Sequence, residues 1–372
     1  MSVLQTRPAL RWLVPTGAAL AILGGGAAVG TFASAAEPNL PERSAAQLLV
    51  DLQTARLDGL SGTVIKRADL GLPSLPGIGG RGSAELTSLV SGTHTLRVWH
   101  AGPDRTRIAL LGTLGETDVI RNGKDVWVWD SQANRAEHST LDHSDLDHAG
   151  PTAGPGHLPV TPQEAAEQAL AAVDPSTRVR VGRSASIAGR DAYELVLEPR
   201  DATSLVDRIT IAIDAVEHVP LRFQVVPEGT SKPAFEVAFT RIDFERPDPA
   251  QFAFNPPPGT VVTEAARPEG RPALPIGVER PTVVGSGWTS VLVAKVPQLA
   301  GIAESQTDDT ETDGTEAGLL RGLLGGLPEV TGEWGSGRLV TGKLFTALLT
   351  DDGRVLVGAV RPERLYEVAQ DR

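Results

Sequence analysis

Cysteine is absent from all 372 residues, and this absence excludes several classes of protein. The chain cannot form disulfides, cannot use a Cys nucleophile and cannot receive the cysteine-linked lipid of bacterial lipoproteins. Its stability must therefore come from packed cores, for which a hydrophobic content of 41% is sufficient.

Aromatic residues and positive charge are also scarce. Aromatic side chains make up only 4% of the chain, and lysine occurs five times. Asp and Glu outnumber Lys and Arg by 46 to 34, which gives a net charge of −12. A chain this acidic does not bind nucleic acid or anionic headgroups through bulk charge, so we expect no nucleic-acid partner.

The N-terminal residues 1–36 have the three parts of a secretory signal. Arg7 and Arg11 precede an apolar run over 12–32, and Ala33-Ser34-Ala35 follows as a small-x-small cleavage site. Cleavage there would remove two arginines and no acid, changing the net charge from −12 to −14. An uncleaved membrane anchor is the alternative, because the run is nearly long enough to span a bilayer. Either reading predicts an exported protein of the cell envelope.

Catalytic and metal-binding motifs are weak. Residues 337–343 match the first part of a P-loop, but Leu344 stands where a Ser or Thr would bind Mg²⁺, so a turn beside a strand is favoured. A group of His and Asp residues lacks the i, i+4 spacing of a zinc helix, and we interpret it as a solvated loop: His138, Asp142, His143, Asp145, Asp147, His148 and His157. We therefore predict no enzymatic activity, cofactor or metal.

Alternating apolar residues over 94–239 predict one antiparallel strand after another. The Asn122-Gly123 pair predicts a type I′ hairpin turn leading into strand Asp125–Asp130. Two helices are predicted to accompany the strands. The first covers 42–57, and the second begins at a capping box in which Thr161 is the N-cap and Glu164 the N3 residue.

The strands supply the candidate ligand-binding residues. Period-2 patterning can send the apolar side chains of several strands to one concave face, if the sheet curls. Trp127 and Trp129 fall on the opposite face of their strand from Val126 and Val128, and core packing is an alternative role for both tryptophans. The candidates are Val126, Trp127, Val128, Trp129, Ile209, Ile211, Ile213, Leu221, Phe223, Phe235 and Phe239.

This order of elements resembles the superfamily of the lipoprotein-localisation carriers LolA and LolB and the sigma-factor regulator RseB. The resemblance covers residues 42–264. It rests on residues 122–130 (NGKDVWVWD), 188–195 (AGRDAYEL), Asp214 with 219–222 (VPLR), and 235–244. It implies an opening helix and a curved open antiparallel sheet with helices on its concave side. Carriers proper lack the extension beyond residue 265, whereas RseB has a second domain there.

The predicted fold is therefore α+β: a half-barrel with covering helices, and a smaller mixed α/β module after it. The predicted boundaries are 1–36 for the signal, 37–265 for the half-barrel, 266–281 for a Pro-rich linker and 282–372 for the C-terminal domain. The predicted function is non-enzymatic binding of a lipid acyl chain or a lipidated protein. The alternative is an envelope-stress regulator that binds an anti-sigma factor or another membrane protein.

Overall fold

A computed structural model describes residues 38–71, 89, 91–141, 160–265, 281–296 and 326–371. The predicted signal, nearly all of the predicted linker, and every member of the His and Asp group except His138 lie outside these ranges. Residues from Asn39 onwards belong to one compact unit. No helix within the described ranges is long and apolar enough to cross a membrane.

The larger sheet contains thirteen strands, which are antiparallel except for one parallel pair at an edge. They are β1 Leu60–Ala68, β2 Gly92–His100, β3 Arg105–Leu111, β4 Glu116–Asn122, β5 Asp125–Asp130, β6 Arg135–Thr140, β7 Thr177–Val181, β8 Ala185–Ile187, β9 Arg190–Pro199, β10 Val206–Asp214, β11 Pro220–Pro227, β12 Phe235–Asp243 and β13 Val261–Glu264. Their order is β13-β6-β5-β4-β3-β2-β1-β12-β11-β10-β9-β7, with β8 beside β9. The terminal strands β13 and β7 do not pair with each other, so the sheet is open.

Two helices pack on one side of this sheet, which we call the inner face. Helix α1 (Ala45–Thr54) has a full capping box formed by Ser44 and Gln47, and it buries Leu48 and Leu52. Helix α2 (Pro162–Ala171) begins at Thr161, whose hydroxyl accepts a hydrogen bond from the Glu164 amide at 3.2 Å. These caps satisfy amide groups that a helix leaves free at its first turn.

The smaller sheet has six strands and one helix. Its strands are β14 Thr282–Val284, β15 Val291–Lys295, β16 Glu329–Gly332, β17 Gly335–Thr341, β18 Thr346–Thr350 and β19 Arg354–Gly358, in the order β14-β15-β19-β18-β17-β16. Helix α3 (Pro362–Gln370) closes its core over Leu348 and Leu356. The predicted α+β fold, a curved open antiparallel sheet followed by a smaller module, is confirmed.

The hairpin between β4 and β5 differs from its prediction in register. Asn122 pairs with Asp125, so the two turn residues are Gly123 and Lys124. Of these, Gly123 has a positive φ of 66° and Lys124 does not. The prediction of a type I′ turn centred on Asn122 and Gly123 was therefore wrong, because that turn needs positive φ at both central residues. A turn of that kind joins β8 to β9, where Ala188 and Gly189 have φ values of 52° and 77°.

Strand β6 was not predicted, because its sequence RAEHST has no apolar alternation. It forms by pairing along its whole length with β5. Its Ala136 and His138 lie opposite Trp129 and Trp127, so they share the tryptophan face of the sheet, where the His138 ring contacts Trp127.

Candidate functional site

The inner face carries a continuous apolar surface. Register pairs Phe223 with Ile211, and Val225 with both Ile209 and Phe235, so these side chains point to the same side of the sheet. Seven of the eleven predicted residues belong to this surface: Ile209, Ile211, Ile213, Leu221, Phe223, Phe235 and Phe239. The prediction that these seven share one face therefore agrees with the register. Their role in ligand binding remains a prediction.

The seven residues divide into two groups by their surroundings. Ile211, Ile213, Leu221 and Phe239 are buried away from the cleft, and they form the protein core with Leu48 of α1. Ile209, Phe223 and Phe235 instead line a cleft of about 400 Å³. A ligand in this cleft would contact the second group, whereas the first group supports the wall from behind.

The cleft is enclosed by three parts of the chain. The sheet supplies its floor, with Val225 beside the three residues named above. Helix α2 supplies one wall through Ala165, Gln168 and Ala169, and residues after β1 and before β18 supply the rest through Leu70, Leu344 and Phe345. Gln168 is the only residue with a polar side chain among these ten, so the cleft suits an apolar molecule.

The smaller sheet therefore helps to form the cleft. The turn between β17 and β18 carries Leu344, and it is held by a hydrogen bond from the Lys343 amide to the Leu70 carbonyl at 2.8 Å. The Lys343 ammonium also forms an ion pair with Asp69. Sequence reasoning missed Leu344 and Phe345, because it treated the two sheets as separate modules.

Further contacts hold the two sheets together away from the cleft. The Trp288 indole donates a hydrogen bond to the Thr177 hydroxyl at 2.9 Å, and Arg361 pairs with Glu228 at 2.6 Å. The Leu205 amide donates to the Ala359 carbonyl at 2.8 Å, beside a bridge between Ser204 and Val360. The position of Leu344 is thus fixed by a docked surface and not by one turn alone.

The remaining four predicted residues lie on β5, away from the cleft. Val126 and Val128 continue the inner face, since Val128 pairs with Val119, which pairs with Ile108 of the core. They lie outside both the cleft lining and the buried core.

Trp127 and Trp129 point to the opposite face of the sheet. There both contact Phe254, at ring-centroid distances of 5.2 and 5.8 Å. A ligand on the inner face cannot contact these two tryptophans, because side chains alternate along a strand. The chain's own Phe254 is the aromatic partner of both.

Lys66 is a feature of the inner face that the sequence did not predict. It lies on β1, pairs with Val237 and is 0% exposed. Its ammonium lies 5.5 Å from the centroid of the Phe235 ring. Burial lowers the pKa of Lys66 to about 8, against an opposing effect of the Glu164 carboxylate. The only signal in the sequence was the rarity of lysine, combined with its place in an apolar strand.

His138 is the one described member of the predicted His and Asp group. Its ring stacks near Trp127 at 4.4 Å, and its nitrogens contact Asp125 at 3.1 Å and Glu264 at 2.9 Å. Partial burial lowers the pKa of His138, but these hydrogen bonds outweigh it and the pKa is raised. The contact with Glu264 joins the edge strand β13 to β6, which is a structural role.

The segment 337–343, which partly matches a P-loop, lies in β17 and the turn after it. A P-loop follows a strand and opens a helix, whereas this turn leads into β18. The segment therefore does not have the backbone context of a phosphate-binding loop.

Comparison with known proteins gives distant structural likenesses. No protein-family model matches the chain, and no curated protein matches it. A chain of the Pseudomonas aeruginosa MucA/MucB complex is 18% identical, with 87% of this chain and 96% of that chain covered and a TM-score of 0.41. An uncharacterised conserved protein from Thermus thermophilus is 13% identical, with 59% and 99% covered and a TM-score of 0.33.

A LolA superfamily protein from Nitrosomonas europaea is also similar. It is 13% identical, with 57% of this chain and 99% of that chain covered and a TM-score of 0.22. The superfamily that the sequence resembles is thus among the similar structures. At these identities and TM-scores the likenesses carry no information about what this chain binds.

Proposed function

We propose that this chain is an exported, non-enzymatic binding protein that holds the acyl chain of a lipid or of a lipidated protein in the cleft beside α2. The observation that carries the proposal is the composition of the cleft, whose walls are apolar except for Gln168. An acyl chain gains about 25 cal/mol for each Å² of apolar surface removed from water. Burial of roughly 300 Å² would contribute about 7 kcal/mol before ordering costs.

The cleft's position supports binding and release without covalent chemistry. It lies on the helix-covered side of an open sheet, and three separate parts of the chain form its walls. Because these walls are separate, a small displacement of α2 or of the β17–β18 turn relative to the sheet would widen the cleft. Carriers and sensors of apolar ligands need this property.

Filling the cleft tests the proposal. Ala169 lines the cleft, and Ala171 lies exposed on the same helix. We expect Ala169→Phe to weaken dodecanol binding at least tenfold, because the ring occupies the ligand's volume. Displacement of a neutral fluorescent probe by dodecanol measures the affinity. Ala171→Phe is the matched control and should leave the affinity unchanged.

Equal affinities for the two variants would place the ligand elsewhere. Absence of saturable binding by the wild-type chain at micromolar concentrations would remove the proposal altogether. Native mass spectrometry of the exported chain provides an independent measurement, because a resident lipid would add its mass to that of the protein.

The second candidate function is binding of a membrane-anchored regulatory protein. The smaller sheet favours it, because β14 and β15 present an exposed apolar pair, Val283 at 64% and Leu292 at 43% exposure. Exposed apolar pairs of this kind occur at protein interfaces. Chemical crosslinking in the cell envelope tests this candidate. It would be favoured if a Val283→Glu, Leu292→Glu double variant loses a specific crosslink to another envelope protein but still binds amphiphiles.

A further inference from the structure

The inner face contains a positive charge that forms no ion pair with any residue that the structure describes. Among the residues that the structure describes, the Lys66 ammonium has no hydrogen-bond partner. Its side chain is 0% exposed, so bulk solvent does not reach the ammonium. A buried ammonium without an anion is strongly unfavourable, and such groups are normally paired.

The other lysines show how unusual this placement is. All four lie on the protein surface: Lys124, Lys232, Lys295 and Lys343. A chain that keeps four of five lysines exposed places the fifth among Val64, Ala68 and Val237 of its core. A Leu or Met at this position would satisfy the packing without the charge.

The charge lies directly behind the cleft. Phe235 lines the cleft, and the same ring lies 5.5 Å from the Lys66 ammonium. Leu70, four residues after Lys66, and Ala165 of α2 also line the cleft. The Phe235 ring thus borders both the cleft and the ammonium, and its displacement would be needed to connect the two.

Among the described residues, Glu164 is the acid that acts on the Lys66 ammonium, and it does not replace a ligand. Glu164 at the start of α2 opposes the lowering of the Lys66 pKa by burial, but no ion pair joins the two side chains. One Glu164 carboxylate oxygen accepts the Val160 amide at 3.0 Å, which anchors that carboxylate to the helix start. The ammonium thus keeps capacity for an anion supplied from the cleft.

We propose that the cleft selects a long-chain fatty acid, whose carboxylate pairs with the Lys66 ammonium while its alkyl chain lies against Ile209, Phe223 and Leu344. This inference rests on the proposed acyl-binding function and adds the chemistry of the head group. A carboxylate fits the site because it is small, planar and singly charged. A phosphodiester head group is larger, and a fully enclosed lysine offers it less room.

A pair of ligands that differ in the head group tests the proposal. Laurate and dodecanol have the same chain length, and each can displace the neutral probe N-phenyl-1-naphthylamine from the full chain at pH 7. We expect the wild-type chain to bind laurate about tenfold more tightly than dodecanol, as a charge-assisted hydrogen bond implies. Lys66→Met should abolish this preference and leave dodecanol binding intact, which also shows that the variant is folded.

Lys232→Met is the matched control, because Lys232 is an exposed cation in the loop between β11 and β12 and is not part of the cleft lining. This variant should keep the preference for laurate. Loss of the preference in Lys232→Met, but not in Lys66→Met, would overturn the assignment to Lys66. Should Lys66→Met fail to fold, ¹³C NMR of carboxyl-labelled laurate on the wild-type chain decides the question. A paired carboxylate stays ionised to lower pH than free laurate, and an unshifted titration would overturn the proposal.

The remaining outcomes separate this inference from the proposed function. Equal binding of laurate and dodecanol would mean that the protein binds acyl chains but does not select acids. That result would overturn this inference and leave the proposed function intact. Binding of neither would remove the proposed function itself. Tighter binding of dodecyl phosphate than of laurate, if Lys66→Met loses it, would show that the ammonium binds a phosphate group. That result would overturn the proposal of a carboxylate ligand.

Discussion

A charge buried among apolar side chains changes the stability of the protein that contains it, and Lys66 is such a charge. Its pKa of about 8 in the folded chain lies below the ordinary value of 10.5. Between these two pH values the unfolded chain binds more protons than the folded chain does. The free energy of unfolding therefore rises with pH across this window, and the cost of the charge is fully present below pH 8.

Replacement of Lys66 by Met should remove this cost. We expect Lys66→Met to raise the free energy of unfolding by roughly 3 kcal/mol at pH 7, and the gain should shrink towards zero as the pH approaches 10.5. Urea denaturation at pH 7, 9 and 10.5 measures it. Lys124→Met, at an exposed turn, should show no such trend. A pH-independent difference would mean that packing and not charge is responsible.

At the scale of single elements, turn geometry and cap chemistry determine how the strands and helices begin. The β4–β5 hairpin has the residues of an Asn-Gly turn, yet the register moves Asn122 into the strand. A positive φ is then needed at Gly123 alone. The Arg121–Val126 pairing beyond the turn aligns Val119 with Val128 on the inner face, so strand pairing fixes the turn residues.

Substitution at the turn distinguishes the two registers. An alanine Cβ at Gly123 would meet no atom within 4 Å, so its cost is purely that of the backbone at φ 66°. We expect Gly123→Ala to lower the free energy of unfolding by about 1 kcal/mol. Asn122→Ala should change it by less than about 0.5 kcal/mol, because Asn122 is an exposed strand residue. Thermal or urea unfolding measures both, and a larger effect at Asn122 would support the predicted type I′ turn.

At the scale of the whole molecule, two sheets cooperate in one cleft. Leu344 and Phe345 of the smaller sheet face Phe223 and Phe235 of the larger one across the cleft. The docked contacts at Trp288 and Arg361 hold that arrangement. A ligand in the cleft contacts both sheets, so its binding free energy also stabilises their association.

The predicted domain boundary can be tested on the same scale. We expect limited proteolysis to cut within 266–281 and to release a fragment ending near residue 265 that unfolds cooperatively. Mass spectrometry of the fragment and its thermal unfolding measure this outcome. Saturating laurate should slow separation of the two parts after cleavage, because the ligand bridges them. Initial cleavage inside β9–β12 would contradict the boundary.

The sequence by itself determined the elements with clear apolar alternation or caps and the faces of their side chains, but not the polar strand β6. Period-2 alternation placed Ile209, Phe223 and Phe235 on one face, and the residues Thr161 and Glu164 marked the start of α2. It also indicated the antiparallel sheet. These features follow from local periodicity, caps and turns, which depend on neighbours along the chain.

Only the tertiary structure decided which of those residues line the cleft. Ile211 and Phe223 share a face, a pattern and the same core, yet only Phe223 also lines the cleft, because α2 and the β17–β18 turn lie where they do. Leu344 reaches the cleft from more than 100 residues away in the sequence, and Lys66 becomes a buried cation only when β12 and α2 pack around it. Burial and the distances between charges depend on contacts remote in sequence, which local patterns do not specify.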